Sequence, residues 1–512
     1  MKKRTFHPST LVIFIFIWTI INLLFLSVFP FMHTDEAWLA GLSRTMMLEK
    51  NPGVTETFFD ISRRAPHAIK LLYHLLQIIF IKTAGYSLFS VRLLSLFGGA
   101  SALLTFGGLL KKLSLPPLGG TILLSLEVQF LYASHFGRQE ILILLLMLIS
   151  LNALYMKKYQ GLIRGLLCGL PIALAVGFHP NAFIAAWPSG LLLAGLIIRK
   201  KRRLSEGLGF ILTASAGAGV FILLSFLFNR AFAADYTSFG SKVGALNPLD
   251  VKLLGFDDFY RKLFLRISGT YYTPNIIPLF IAAAAGTVCS ALLSIRSKTI
   301  PKTMIFALTG IAAVNAGIIL IGKYSAPSVV FLTPFMVILI CGGIERTGRM
   351  HRRALYAAAA SVLLLNSSLM IAEELRGGRE THAQYTEKIA EAIPRNAMTL
   401  GGLTAGFYFE DGKLLDWRNL ALLNEAGVTL EEYIGGNDIE YIIYSDEIDY
   451  IYKNRPVWNI LYGNPVVYYE PLQVFLEEKC RLISEFPSPG YGTRLVMHRF
   501  KKNWKVRIYR LK

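Results

Sequence analysis

Runs of about twenty apolar residues recur along most of this 512-residue chain, and no other feature constrains its fold as much. An α-helix rises about 1.5 Å per residue, so about twenty apolar residues cross the ~30 Å hydrocarbon layer of a bilayer. Such runs occupy residues 10–30, 89–110, 117–135, 140–156, 162–178, 181–198, 207–229, 274–295, 303–322, 326–344 and 354–372, which predicts about eleven spanning helices. Composition agrees with lipid as the solvent. The chain is 54% hydrophobic and only 17% charged, against about 25% charge in a soluble domain.

The net charge of +20 would point to nucleic acid in a soluble chain. Here the basic residues stand in short clusters between apolar runs, which excludes that reading and orients the chain instead. One stretch, 68–84, is ambiguous: Lys70, His74 and Gln77 share a helical face and Lys82 closes it. If it lies in the interface, the clusters Lys2/Lys3/Arg4, Lys111/Lys112, Lys157/Lys158, 199–203, Arg296/Lys298 and 346–353 all fall inside. If it spans, most of them move outside. The first choice makes 31–88 a long outer loop with interfacial amphipathic helices near 35–49 and 68–84. It also puts the turns at 135–140, His179/Pro180 and Lys323/Tyr324, the loop 230–273 and residues 374–512 outside.

The first apolar run, 11–29, is too long for a signal-peptide core and is followed by Pro30, Phe31, Met32 and His33 rather than by small residues. It reads as an uncleaved span with a cytoplasmic N-terminus. After residue 373 charge becomes denser, and strand-like runs follow at 397–401, 441–445, 494–500 and 506–511, with a helix at 380–393 stopped by Pro394. The expected architecture is a mainly α polytopic membrane protein. Residues 1–373 form its transmembrane domain and 374–512 a small soluble α/β domain on the extracytoplasmic side. Cys168, Cys289, Cys341 and Cys480 show neither a disulfide framework nor zinc-ligand spacing.

Acidic residues beside spans are costly unless they serve a purpose. Asp35 and Glu36 follow the first span, Asp60 closes Phe58-Phe59-Asp60 in the same loop, and Glu140 ends Gly137-Arg138-Gln139-Glu140 at the mouth of the fourth span. Each has a plain alternative: a helix cap at Thr34 or Asp35, a solvated loop carboxylate, a favourable charge at a helix N-terminus. Their placement on one predicted face favours a shared role.

The segment His33-Thr34-Asp35-Glu36-Ala37-Trp38-Leu39-Ala40-Gly41-Leu42-Ser43-Arg44 resembles the Asp-Glu motif of the polyprenyl-phosphate-sugar-dependent GT-C membrane glycosyltransferases. That group includes the family 39-like protein O-mannosyltransferases and lipid A aminoarabinose transferases. The resemblance continues in order through Phe58-Phe59-Asp60, Phe89-Ser90-Val91-Arg92-Leu93-Leu94-Ser95, Gly137-Arg138-Gln139-Glu140, His179-Pro180-Asn181 and Lys323-Tyr324 with Pro334. It covers about residues 10–345. The family's Lys-Pro-Pro is absent; Ile61-Ser62-Arg63-Arg64-Ala65-Pro66-His67-Ala68-Ile69-Lys70 stands in its place.

The resemblance implies transfer of a sugar, with inversion, from a polyprenyl-phosphate donor to an acceptor hydroxyl on an envelope lipid, glycan or protein, in a prokaryotic plasma (inner) membrane. It casts Asp35 as the base, with Glu36, Asp60 and Glu140 orienting substrate. The leaving phosphate needs cations or donors, for which Arg63, Arg64, Lys70, Arg138, Lys323 and Tyr324 are the candidates. His179 is either an acceptor or phosphate contact or a plain turn histidine. Arg92 is expected to anchor a span at the interface. A divalent ion on Asp35, Asp60 and Glu140 would be magnesium, manganese or calcium, which suit oxygen ligands. The competing classes are a transporter or lipid flippase, for which Glu127 is the one candidate acidic residue within a span, and a non-catalytic envelope scaffold.

Overall fold

The structure, a computed structural model, describes residues 8–61, 65–242, 244–267, 271–377, 380–454, 462–488, 490–491 and 504–512. Every apolar run named above is helical. The helices are α1 (Pro8–Phe25), α2 (Thr34–Glu49), α3 (Leu71–Ala84), α4 (Leu88–Lys112), α5 (Pro117–Ser125), α6 (Val128–His135), α7 (Glu140–Ala153), α8 (Leu162–Val176), α9 (Ala182–Ile198), α10 (Leu204–Phe228), α11 (Phe232–Lys242), α12 (Leu249–Phe264), α13 (Ile277–Ser297), α14 (Lys302–Ile321), α15 (Thr333–Glu345) and α16 (Arg349–Gly377). Among the described residues six helices are long and apolar enough to cross a membrane, or seven if α6 and α7, bent by 115° at their break, count as one span. Four shorter apolar helices accompany them.

Three differences from the sequence reading matter. The run 117–135 is broken into α5 and α6, and Glu127 caps α6 by accepting the Phe130 N–H at 2.7 Å. That spends the acidic side chain of the transporter reading on a helix N-terminus. The loop 230–273 holds two helices, α11 and α12. The second buries Phe259 and Leu263 while leaving Leu253 and Leu254 exposed. The stretch 68–84 is indeed helical from Leu71, but its polar face points inward. His74 and Gln77 are buried, while Leu75 and Ile79 are exposed.

The bundle interior is filled by Leu103, Phe106, Leu148, Phe335 and their neighbours, all fully buried. Large apolar side chains such as Phe16, Leu223 and Ile295 point outward, as a helix in lipid requires. Small residues let backbones touch: a Cβ on Gly165 of α8 would lie 2.1 Å from the Glu206 carbonyl oxygen of α10.

The C-terminal part carries α17 (His382–Ala390) and strands β1 (Thr399–Gly401), β2 (Leu414–Asp416), β3 (Tyr441–Ser445), β4 (Cys480–Pro487) and β5 (Lys505–Leu511). Their order is β2-β1-β3-β5-β4. The first three strands run parallel, and β5 is antiparallel to both β3 and β4. The expected strand at 494–500 lies outside the described residues, and β2 and β4 were not anticipated. One face of this sheet shares a hydrophobic cluster with α2, α3, α4 and the loop between α2 and α3, including Ala37, Phe58, Ile81 and Val91. Arg44 of α2 fastens the join. It donates to Asp411 at 3.1 Å and to the Phe409 carbonyl at 2.8 Å.

Candidate functional site

The N-terminus of α2 organises the site. His33 is its cap: Nδ1 accepts the Asp35 N–H at 3.0 Å, and Glu36 accepts the His33 N–H at 3.0 Å, closing a capping box. The turn therefore sends the two neighbouring carboxylates in different directions.

Glu36 goes inward. Arg92 of α4 grips both its oxygens, Nε and Nη2 each at 2.8 Å, and both side chains are fully buried. The Gly137 N–H adds a further donor at 2.8 Å, and a Cβ on Gly137 would stand 3.0 Å from the same carboxylate oxygen. Arg92 Nη1 donates to the Leu26 carbonyl at 2.9 Å. Glu36 is thus fully buried in this structure, and Arg92 is an interior ion-pair partner rather than the interfacial anchor expected.

Asp35 goes outward, with 22% of its side chain exposed. Its Oδ2 accepts from Arg138 Nη1 at 2.6 Å and from the Tyr271 hydroxyl at 2.6 Å. Arg138 stands in the break between α6 and α7 and also holds Glu140, the first residue of α7, at 2.9 Å. Burial opposes its charge, but Glu140, Tyr271 and Asp35 outweigh that cost and hold the guanidinium ionised. Arg138 Nε and Glu140 Oε2 are buried without a hydrogen-bond partner among the described residues, so this node keeps polar capacity for something else.

Further basic residues stand around the turn between α8 and α9. His179, in the turn between α8 and α9, is held well below its ordinary pKa by burial, then by the charges of Lys70, Lys323 and Arg138. Three cations from distant parts of the chain thus act on one neutral imidazole. Lys70 caps α3 with φ at 103°, a conformation that costs a non-glycine residue roughly 1–3 kcal/mol. Its ammonium lies 5.0 Å from the centre of the Trp38 ring. That of Lys323 lies over Phe239.

Other expected members stand elsewhere. Asp60 accepts from the Tyr433 hydroxyl of the C-terminal part at 2.9 Å, and the Phe58 carbonyl accepts from Asn419 at 3.0 Å. The Phe58-Phe59-Asp60 segment is therefore docked against that part. Tyr324 turns its hydroxyl to the Lys252 carbonyl, tying its turn to α12. Arg63 and Arg64 lie outside the described residues. No three His, Cys, Asp or Glu gather as a metal site among the described residues. A divalent ion on Asp35, Asp60 and Glu140 does not fit: a guanidinium separates the first from the third, and Asp60 is spent on Tyr433.

No protein-family model matches the sequence, and no curated protein matches it. Solved structures do. ArnT from Cupriavidus metallidurans bound to undecaprenyl phosphate aligns with a TM-score of 0.60 at 12% identity, over 98% of this chain and 98% of that one. The archaeal oligosaccharyltransferase of Archaeoglobus fulgidus in its apo form aligns at 0.52 and 13% identity, over 89% of this chain and 71% of that one. Its complex with an inhibitory peptide and a dolichol-phosphate gives 0.51 at 13%, over 90% and 72%. This chain shares their fold.

Within that shared fold the sequence concealed a layer of support. Tyr73 donates to the Gly137 carbonyl at 2.6 Å, Gln77 to Tyr73 at 3.0 Å, and Ser43 to Gln77 at 2.6 Å. The chain of bonds joins α2, α3 and the break that carries Arg138. Only the spacing of His74 and Gln77 hinted at it. Tyr271 gave no local signal, since it lies in an irregular stretch between α12 and α13.

Proposed function

We propose that this protein transfers a sugar from a polyprenyl-phosphate donor to an acceptor hydroxyl at the extracytoplasmic face of a plasma (inner) membrane. The observation that carries the reading is the bridge Asp35–Arg138–Glu140, a part-open carboxylate beside a buried guanidinium with Lys70 and Lys323 acting on the same neighbourhood. The GT-C fold, shared with a protein that binds undecaprenyl phosphate, supports it. In this reading about eleven helical segments cross the membrane, α2 and α3 lie in its interface, and residues 374–512 stand outside.

The acceptor oxygen attacks the anomeric carbon, the bond from that carbon to the phosphate oxygen breaks, and the acceptor proton passes to the Asp35 carboxylate. The polyprenyl phosphate leaves with both electrons of the broken bond. Its charge is met by Arg138, Lys70 and Lys323. The donor phosphate competes with Asp35 for Arg138, and that exchange frees the carboxylate to act as a base only when donor is bound. The buried, neutral His179 takes the acceptor or the phosphate as a hydrogen-bonding contact. The apolar tail stays in lipid while its headgroup reaches the ends of the helices.

The test uses the protein in lipid with radiolabelled polyprenyl-phosphate sugars and envelope extract. Label moving to acceptor with wild type and not with Asp35→Asn of equal thermal stability supports the reading. Undiminished transfer by Asp35→Asn removes Asp35 as the base. Donor-independent movement of labelled lipid across the membrane would establish a flippase instead.

A further inference from the structure

Tyr271 reaches Asp35 from outside the recognisable motifs. Its hydroxyl lies 2.6 Å from Asp35 Oδ2, the same oxygen that Arg138 binds. Its ring stacks on His33, with centroids 4.6 Å apart and planes 14° apart, and meets Phe136 edge-on. Described residues on either side of it make contacts of their own. Arg266 pairs with Glu373 of α16 at 2.8 Å, and Tyr272 packs on Tyr132 and donates to the Met370 carbonyl at 3.3 Å. The aromatic ring alone would satisfy the packing, so the hydroxyl calls for its own explanation. Burial pushes that hydroxyl far above its ordinary pKa, which keeps it a donor at any working pH.

We propose that Tyr271 is a positioning residue that sets the orientation and basicity of Asp35; this rests on the glycosyltransferase reading above. A hydrogen bond donated to a carboxylate favours its ionised form and lowers its proton affinity. Among the described contacts, the ionisable groups on Asp35 are His33 from the cap of α2, Arg138 from the α6–α7 break, with Glu140 on the far side of that guanidinium, and Tyr271 itself. Arg138 is available to the donor phosphate, so its hold on Asp35 is temporary. Tyr271, whose hydroxyl also accepts from Arg138, keeps its own bond to Asp35 when the guanidinium turns to the phosphate.

The experiment is the pH profile of kcat/KM for sugar transfer by the full chain in lipid. Loss of the hydroxyl in Tyr271→Phe leaves the ring stacked on His33. It is expected to move the acid limb upward by about 0.5–1 pH unit, with the alkaline plateau within about twofold of wild type. Rates below the limb then fall about 3–10-fold. A 3-fluorotyrosine at 271, a stronger donor of the same shape, is expected to move the limb downward. In His33→Asn the limb persists. An unmoved limb in both Tyr271 variants, or a limb abolished by His33→Asn, overturns the proposal while Asp35→Asn still reports on the enzyme. No transfer by wild type with any donor overturns both.

Discussion

Two buried arginines stand on either side of one helical turn and are treated in opposite ways. Arg92 meets a single carboxylate, Glu36, in a two-pronged pair closed by backbone donors and acceptors, with no exposure on either side chain. Arg138 is shared between Asp35 and Glu140, keeps an unpartnered Nε, and leaves Asp35 22% exposed. A saturated buried pair has nothing left to offer a ligand, and removing one partner strands a charge. An under-filled pair can exchange one partner for a phosphate. In the glycosyltransferase reading, the difference separates a group that holds α2 and α4 together from one proposed for chemistry, although Asp35 and Glu36 are adjacent in sequence.

Substitutions can break that contrast. The largest effect is expected for Asp35→Asn, with transfer down about 10²–10⁴-fold and a thermal midpoint within about 2 °C of wild type. A large fall in the midpoint instead would make Asp35 as structural as its neighbour. Glu36→Gln should do the reverse. Leaving Arg92 buried and uncompensated costs about 3–5 kcal/mol, read as a lower midpoint or lost folded yield in detergent. Residual folded protein should retain its pH profile.

The closed node also has a pH signature. His382 of the C-terminal part is pushed from its ordinary value of 6.5 down to about 4, first by burial and also by the charge of Arg92. A histidine kept neutral when folded is protonated more readily when unfolded, so stability rises with pH across that window. As pH falls from about 6.5 to about 4, roughly 3 kcal/mol is lost, and the loss levels off below. Thermal melts of His382→Gln should show a shallower slope across this window than those of wild type, because the other buried histidines keep theirs.

Smaller effects belong to the open node. Arg138→Lys keeps the charge but not the fork that reaches two carboxylates, and should lower kcat/KM for donor about 10–100-fold. Lys70→Ala should raise donor KM about 3–10-fold with kcat nearly intact. An unchanged KM would place the donor phosphate away from α3.

The legible part of the fold follows from short-range pattern. Apolar runs set the helices and Pro394 set the end of α17, while the cap of α2 is His33 rather than the Thr34 or Asp35 expected. The misplaced parts depend on partners far along the chain. Nothing near Glu36 reveals that Arg92 will take it, nothing near Asp60 reveals Tyr433, and α12 is too short and mixed to stand out from a loop. The ordered motifs did name the residues that meet at Arg138, because carboxylates beside spans are expensive enough to be conspicuous. Tyr271 escaped because a lone tyrosine in an irregular segment has no periodicity to betray it.

The clasp between Arg44 and Asp411 has a consequence for how the protein is made. Its two halves are 367 residues apart, and at ~5–20 residues per second a ribosome needs about 20–70 s to bridge them. Through that interval α2 and its carboxylates have been synthesised without the sheet that later covers them. The site's first residues thus wait for its last, and a chain cut short before Asp411 would leave an exposed apolar seam for chaperones or proteases to find.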